Sequence, residues 1–364
     1  MAFYPFQPDY TVVPGEIVSE HMEFMGMNQA ELARRCGRSA KLISEIVNGK
    51  APIEPETALQ FEKVLGLDAN IWLNLEASYR LFLAREAEAR AASDAEEWAR
   101  QFPVSKLAAR GMIDAPRSSA DKVEQLLTFF GVASVEAWNR RYAEAHVAYR
   151  HSPSFKSKAP AFATWLRLGE LQSLETQCDH FDDQRFRSVL ARIRGLTRVP
   201  LNDALQEAAR LCREAGVALV VVPLLPHTHL SGAARWVGPH KAVIQLSGRH
   251  KTNDHIWFTF FHEAAHLILH RVKNRSSIFL DEAVLKNGCE QERQANEWAG
   301  DFLIPQDVWQ DFILAGEFVE ASVSSFAADI GVAPGIVVGR LQYERFISKS
   351  LLNHLKAKAE LLES

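Results

Sequence analysis

Cysteine is scarce in this chain and scattered. The 364 residues hold four, Cys36, Cys178, Cys212 and Cys289. No two of them form a C-x-x-C pair, which argues against a disulfide framework and for reduced, buried or incidental thiols of a cytosolic protein. Long apolar runs are missing too. No stretch of 18 or more apolar residues occurs, so no membrane span is expected. The N-terminus lacks a basic segment followed by an apolar one, so no secretory signal is expected. These absences make the expected location cytoplasmic, with no membrane partner. An excess of charge of one sign is also lacking. Lys+Arg number 41 against 45 Asp+Glu, a formal net charge of −4. Any surface that attracts nucleic acid must therefore be local.

What the chain does have is apolar mass, with 47% hydrophobic residues over a length sufficient for two or three domains. Residues 14–83 alternate short helical patterns with turn signals. The stretch "LAREAEARAASDAEEWARQF" then reads as a solvated helix or helical linker. Helical periodicity continues through 121–215, as in "DKVEQLLTFFGV" and "DQRFRSVLARIRG". The texture changes at "GVALVVVPLL", a β-branched apolar run that reads as a buried strand. "ARWVGPHKAVIQLS" reads as two short strands about a Gly-Pro turn. From Thr252 onward helices return. The expected fold class is mainly α with a small β-sheet (α+β).

Residues 262–270 read HEAAHLILH. An α-helix advances about 100° per residue, so positions four apart share a face. His262 and His266 can therefore aim two imidazoles at one ion. Glu263 is then placed to activate water instead of binding the metal. A zinc site of this kind needs a third protein ligand. Downstream, "CEQERQANEWAGDFLIP" reads as a helix ending before Pro305. It offers Glu292, 26 residues after His266, with Glu290, Glu297 and Asp301 as further carboxylates. Asn296, one turn beyond Glu292, could hydrogen-bond a ligand histidine from behind. In so apolar a helix, two imidazoles and a carboxylate without partners would be costly to bury. A strand precedes this helix, and zinc peptidases use an edge strand to align an extended substrate. His227, His229, His240, His250 and His255 precede the motif. One of them could stabilise an oxyanion, while each taken singly reads as a loop or surface histidine.

"FTFFHEAAHLILH" followed by "ERQANEWAGDFLIP" resembles the ImmA/IrrE family of zinc-dependent endopeptidases over residues 205–310. The resemblance implies Zn2+ as cofactor, His262, His266 and Glu292 as its ligands, and Glu263 as general base. Ala264-Ala265 replaces the family's common Leu-Gly, and Trp298 stands where Phe is usual. Neither change touches a ligand. His270 also resembles a frequent family histidine.

A second signal lies in "MNQAELARRCGRSAKLISEIVNGKAPI". Gln29 to Arg35 reads as one helix with Asn28 as N-cap. Cys36-Gly37-Arg38 makes a tight turn, Ser39 is another N-cap, and Ala40 to Val47 forms a second helix. Asn48-Gly49 supplies the stop. Ala33, Gly37, Ile43 and Ile46 fall where two crossed helices must approach closely, the helix-turn-helix spacing. Residues 1–80 hold seven basic and eleven acidic residues, yet residues 34–50 hold Arg34, Arg35, Arg38, Lys41 and Lys50 against Glu45 alone. Gln29, Arg38 and Lys50 are the candidate phosphate contacts, helped by helix N-termini. Ser39, Ala40, Lys41, Ser44 and Glu45 occupy the candidate base-reading positions. So few cations call for a homodimer on a palindromic operator in double-stranded DNA. The segment resembles the Xre/Cro-type fold. With its flanks, from Pro14 to Leu83, it is more similar still to HigA-type antitoxins.

The expected layout is a five-helix helix-turn-helix domain over 1–83 and a helical middle over 84–200. A zincin-like peptidase domain over 201–310 and a helical extension over 311–364 complete it. In the extension, "SSFAADIGVAPGIVVGRLQYE" reads as a packed helical pair supporting the peptidase. The resemblances imply an antitoxin-like repressor whose peptidase cleaves a regulatory protein. The alternative is a non-enzymatic repressor whose peptidase-like domain senses metal or binds a toxin partner.

Overall fold

A computed structural model describes residues 11–143, 159–226, 228, 230–249, 251–270 and 282–358, with backbone alone for 93–94, 143 and 282–289. The architecture is mainly α with one three-stranded sheet, as the sequence leads one to expect. It divides into two units, residues 1–96 with 118–121, and residues 97–117 with 122–364.

In the first unit, helices α1 (Pro14–Phe24), α2 (Gln29–Cys36), α3 (Ala40–Val47), α4 (Pro55–Leu65) and α5 (Ala69–Asp94) follow one another. The expected caps form. Asn28 accepts the Glu31 backbone N–H, and Ser39 accepts that of Leu42. Each satisfies a donor the helix itself leaves free. Gly37 has φ +65° and a Cβ there would meet nothing within 4 Å. It serves the left-handed turn, not close helix approach. The close approach is at Gly15, whose Cβ would lie 2.3 Å from the Val47 carbonyl oxygen. Leu32, Ala33, Ile43, Ile46, Phe61 and Trp72 form the core. Burying the larger of these apolar side chains contributes about 1.5–3 kcal/mol each. Helix α5 continues past Leu83 into the charged stretch without a break.

The second unit opens with α6 (Glu96–Ala99), α7 (Val104–Ala109), α8 (Ser119–Phe130) and α9 (Val135–Trp138). Then come α10 (Ala159–Glu175), α11 (Asp183–Leu196) and α12 (Leu201–Glu214), and strands β1 (Val217–Val221), β2 (Gly232–Trp236) and β3 (Ala242–Leu246). Helices α13 (Asn253–Leu269), α14 (Glu282–Leu303), α15 (Gln306–Ala315), α16 (Glu320–Ile330) and α17 (Pro334–Tyr343) complete it. β1 pairs parallel and β2 antiparallel with β3, giving the order β1-β3-β2. The strand immediately before α13 is thus the central one. It cannot be the edge, because the β2–β3 hairpin occupies one side and β1 the other. Among the described residues no strand pairs with the other side of β2, which leaves it a free edge.

Side chains alternate across the sheet. On one face, Trp236, Ala242, Ile244 and Leu246 join a core with α11–α14, α16 and α17. On the other, Arg235 donates to Gln245 Oε1 (2.9 Å) and to the Leu166 carbonyl (2.7 Å). Gln245 in turn donates to the Trp165 carbonyl (2.7 Å). These bonds tie α10 to β2 and β3 and satisfy two buried polar side chains that would otherwise be costly.

The expected helical pair is α16 and α17, bent by 113°. Its core residues Val323, Ala327, Val337 and Leu341 share the cluster that buries Trp257 and Phe261 of α13. A Cβ at Gly339 would meet Asp254 Oδ2 at 2.8 Å. Behind it, the Lys356 ammonium reaches Asp254 at 2.6 Å, with both side chains under a tenth exposed. The start of the HEAAH helix is thereby clasped by a residue a hundred positions downstream. No single helix among the described residues is long and apolar enough to cross a membrane.

Candidate functional site

Helix α13 carries His262 and His266 one turn apart, and α14 packs beside it. His262 Nε2 and His266 Nε2 lie 3.1 Å apart. Glu292 presents one carboxylate oxygen to each, at 3.3 Å from His262 and 3.4 Å from His266. These are the only three His, Cys, Asp or Glu residues among those described that cluster as metal donors. Tetrahedral zinc with bonds of about 2.0–2.1 Å separates its ligand atoms by about 3.3–3.4 Å. The donor triangle fits that ion, and two imidazoles facing each other so closely need a shared cation or proton.

Asn296 Oδ1 stands 3.0 Å from His262 Nδ1. It fixes the ring and leaves Nε2 as the donor toward the triangle. Burial opposes charge on His262. The hydrogen-bonded Glu292 carboxylate, with Glu263 nearby, nonetheless raises it above the ordinary imidazole value. Burial likewise opposes ionisation of Glu292, and the hydrogen bonds from both histidines overcome it, holding the carboxyl well below its usual range.

Glu263 stands outside the donor triangle. It is buried, and burial pushes its carboxyl upward. The Ala234 backbone N–H of β2, close to it, opposes that rise. This contact was not legible in the sequence. The signal that could have found it is the glycine opening a strand, which marks a close backbone approach. Phe258, one turn before His262, sets its ring 6.3 Å from that imidazole.

The other described carboxylates of α14 are occupied elsewhere. Glu290 and Glu297 both bond Arg293 at 2.5 Å, and Asp301 faces Arg340 at 3.8 Å. His270 ends α13 and contacts the Gln291 carbonyl at 3.2 Å. His240 stacks on His180 with ring centres 4.6 Å apart, and His255 is exposed. Neither joins the donor cluster. His227, His229 and His250 lie outside the described residues, as does the Cys289 side chain.

On the helix-turn-helix face, Ser39, Ala40, Lys41 and Lys50 are exposed, while Gln29, Ser44 and Glu45 are half-exposed. Lys41 Nζ lies 3.8 Å from Glu45. Arg38 is turned toward α4, donating to Gln60 Oε1 at 2.7 Å and Glu56 at 3.0 Å.

The helix-turn-helix family matches residues 25–72, and the IrrE N-terminal-like domain family matches residues 218–341. An uncharacterized HTH-type transcriptional regulator, YddM of Escherichia coli K12, is 31% identical over 68 residues, 19% of this chain and 72% of its own. The chain belongs to the helix-turn-helix family, fused to an IrrE-like domain. Virulence-associated protein I of Dichelobacter nodosus is 36% identical over 74 residues, 20% of this chain and 68% of its own. A solved addiction module antidote protein of a HigA family from Coxiella burnetii is 29% identical, covering 24% of this chain and 91% of its own, with a TM-score of 0.21. Each of these relatives covers a quarter of this chain or less. The IrrE-like range begins inside β1 and ends inside α17, so it takes in β2, the donor triangle and the α16–α17 pair.

Proposed function

We propose that this chain is an antitoxin-like transcriptional regulator carrying a zinc-dependent endopeptidase that cleaves a regulatory protein. The observation that carries the reading is the separation of roles in the IrrE-like domain. Three donors from two helices form a triangle of 3.1–3.4 Å, and a fourth group, the acidic Glu263, lies beside them close to Gly232 of β2. A purely structural zinc site closes all four positions with protein ligands, whereas a hydrolytic one keeps a position open.

His262, His266 and Glu292 would hold the ion, and Asn296 would orient His262. Bound there, zinc would supply Lewis acidity to water and to a peptide carbonyl. Glu263 takes a proton from the attacking water and passes it to the leaving amine. Its buried, upward-shifted carboxyl suits both halves of that task. The free edge of β2 offers backbone partners to an extended peptide. The N-terminal module binds operator DNA as a homodimer, with Lys41 and Ser44 toward base edges and Lys50 toward phosphate. Glu45 and Ala40 complete the reading face.

The test pairs two assays. The zinc-loaded chain is incubated with the proteins encoded beside it, alongside Glu263→Gln. Cleavage by the wild type and a loss of about 10²-fold or more in the variant is expected. The same preparations are titrated with promoter duplex, where both bind alike. Promoter binding without cleavage of any neighbour would favour a repressor whose IrrE-like domain senses metal or binds a toxin.

A further inference from the structure

The inner face of β2 grows in size along the strand. Its residues toward α13 are Gly232, Ala234 and Trp236, from no side chain to a methyl to an indole. Val237 and Ser231 pair with Lys241 and Ser247 of the β3 side through backbone bonds. By the antiparallel alternation, Ala233 and Arg235 then bond to β3. Gly232, Ala234 and Trp236 turn their backbone groups to the free edge. The Ala234 N–H acts on the Glu263 carboxyl, lowering it against the effect of burial. At Gly232 the strand lies close to the HEAAH helix. A Cβ there would stand 2.6 Å from Thr259 Cγ2 and 2.9 Å from both Cγ and Oε1 of Glu263. Gly232 has no positive φ, so its backbone does not require glycine. The space does.

We propose that Gly232 is a positioning residue for Glu263: its bare backbone leaves the room in which the carboxylate rests against the edge strand. This rests on the reading of Glu263 as the proton acceptor of the site. The three nearest atoms that a methyl at 232 would meet all belong to side chains. The strand and the helix can therefore stay where they are, while the Glu263 carboxylate and the Thr259 methyl must move. The site would keep its ion and lose its acceptor.

The experiment loads wild type, Gly232→Ala and Glu263→Gln with cobalt(II), then titrates each with acetohydroxamic acid, followed on the cobalt d–d absorption. That probe chelates a metal as an anion and passes its proton to an adjacent carboxylate. All three proteins should hold one cobalt per chain. Acetohydroxamate affinity should fall about tenfold or more in Gly232→Ala, the size of one charge-assisted hydrogen bond. Because the loss acts through Glu263, Gly232→Ala should add nothing in the Glu263→Gln background. Thr259→Ser in the Gly232→Ala background removes the closest conflict but leaves the one with Glu263, so the loss should persist. Recovery of affinity in that pair would show that the glycine serves helix packing, and would overturn the proposal. So would wild-type affinity in Gly232→Ala, or additivity with Glu263→Gln. Failure of cobalt to bind the wild type would instead overturn the metal-centre reading itself.

Discussion

The helix-turn-helix module and the IrrE-like domain spend their polar groups in opposite ways. In the module, polar side chains work at helix ends and on open surface. Asn28 and Ser39 cap their own helices, and Glu31 pairs with Arg34 and Arg35 within one or two turns. In and around the IrrE-like domain several are sunk into the interior and bridge distant segments. Asp254 meets Lys356, Arg235 meets Gln245 and Leu166, and Glu263 rests on β2. A local, exposed bond that is lost is replaced by water. A buried one that loses its partner leaves an uncompensated group, and that cost is larger.

Three substitutions sharpen this contrast, in descending order of effect. Lys356→Ala strands the Asp254 carboxylate under the start of α13 and should cost about 3–5 kcal/mol, read by denaturant unfolding of the full chain. A loss under 1 kcal/mol would mean water reaches Asp254 and the clasp is open. Ser39→Ala removes one exposed cap and should cost about 0.5–2 kcal/mol. It should be visible as earlier melting of the helix-turn-helix module, with the zinc content of the other domain unchanged. Arg34→Ala should leave the denaturant midpoint nearly unchanged, since its pair with Glu31 is surface-exposed. If Ser39→Ala proved costlier than Lys356→Ala, the comparison between the two regions would fail.

The metal-free protein offers a pH test. Glu292 is held below its usual range, so its contribution is present above the ordinary carboxylate value and disappears as pH falls. His262 is raised, so its contribution is present below the ordinary imidazole value and disappears as pH climbs through its shifted one. Both are present together between about pH 4.3 and 6.5. The gap in melting temperature between the apo wild type and apo Glu292→Gln should be widest in that window. A gap that does not vary with pH would show that the pair is not formed without metal.

The same contrast explains what could be read from residues alone. Asn28, Gly37, Ser39 and Gly49 act on chain neighbours within a few positions, so caps, turn and stop were all legible. Histidines four apart on one helix were legible for the same reason. Glu292 was placed at the site by resemblance, since spacing left Glu290, Glu297 and Asp301 open. The structure brings Glu292 to the histidines and sends the others to Arg293 and Arg340. What no local pattern could tell was which strand faces the site. The order β1-β3-β2 depends on a parallel pairing across 25 residues, and it moves the edge from β3 to β2. Nor could spacing predict that Arg38 would turn to Gln60 and Glu56, or that Lys356 would return to Asp254. Gly37 was read both as a turn residue and as a contact residue, and it serves the turn alone. Gly15 and Gly232, two of the glycines in close contact, lie at helix and strand starts where sequence shows no partner.

The central claim is that two carboxylates near the histidines do different jobs, Glu292 as donor and Glu263 as proton acceptor. Zinc content per chain, measured by elemental analysis of purified wild type, Glu292→Ala and Glu263→Gln, separates them. The account predicts about one zinc in the wild type and in Glu263→Gln, and a sharp drop in Glu292→Ala, as expected when one of three protein ligands is removed. Equal zinc in both variants would remove Glu292 from the site, and no zinc in any of the three would leave HEAAH a chance pattern on a core helix.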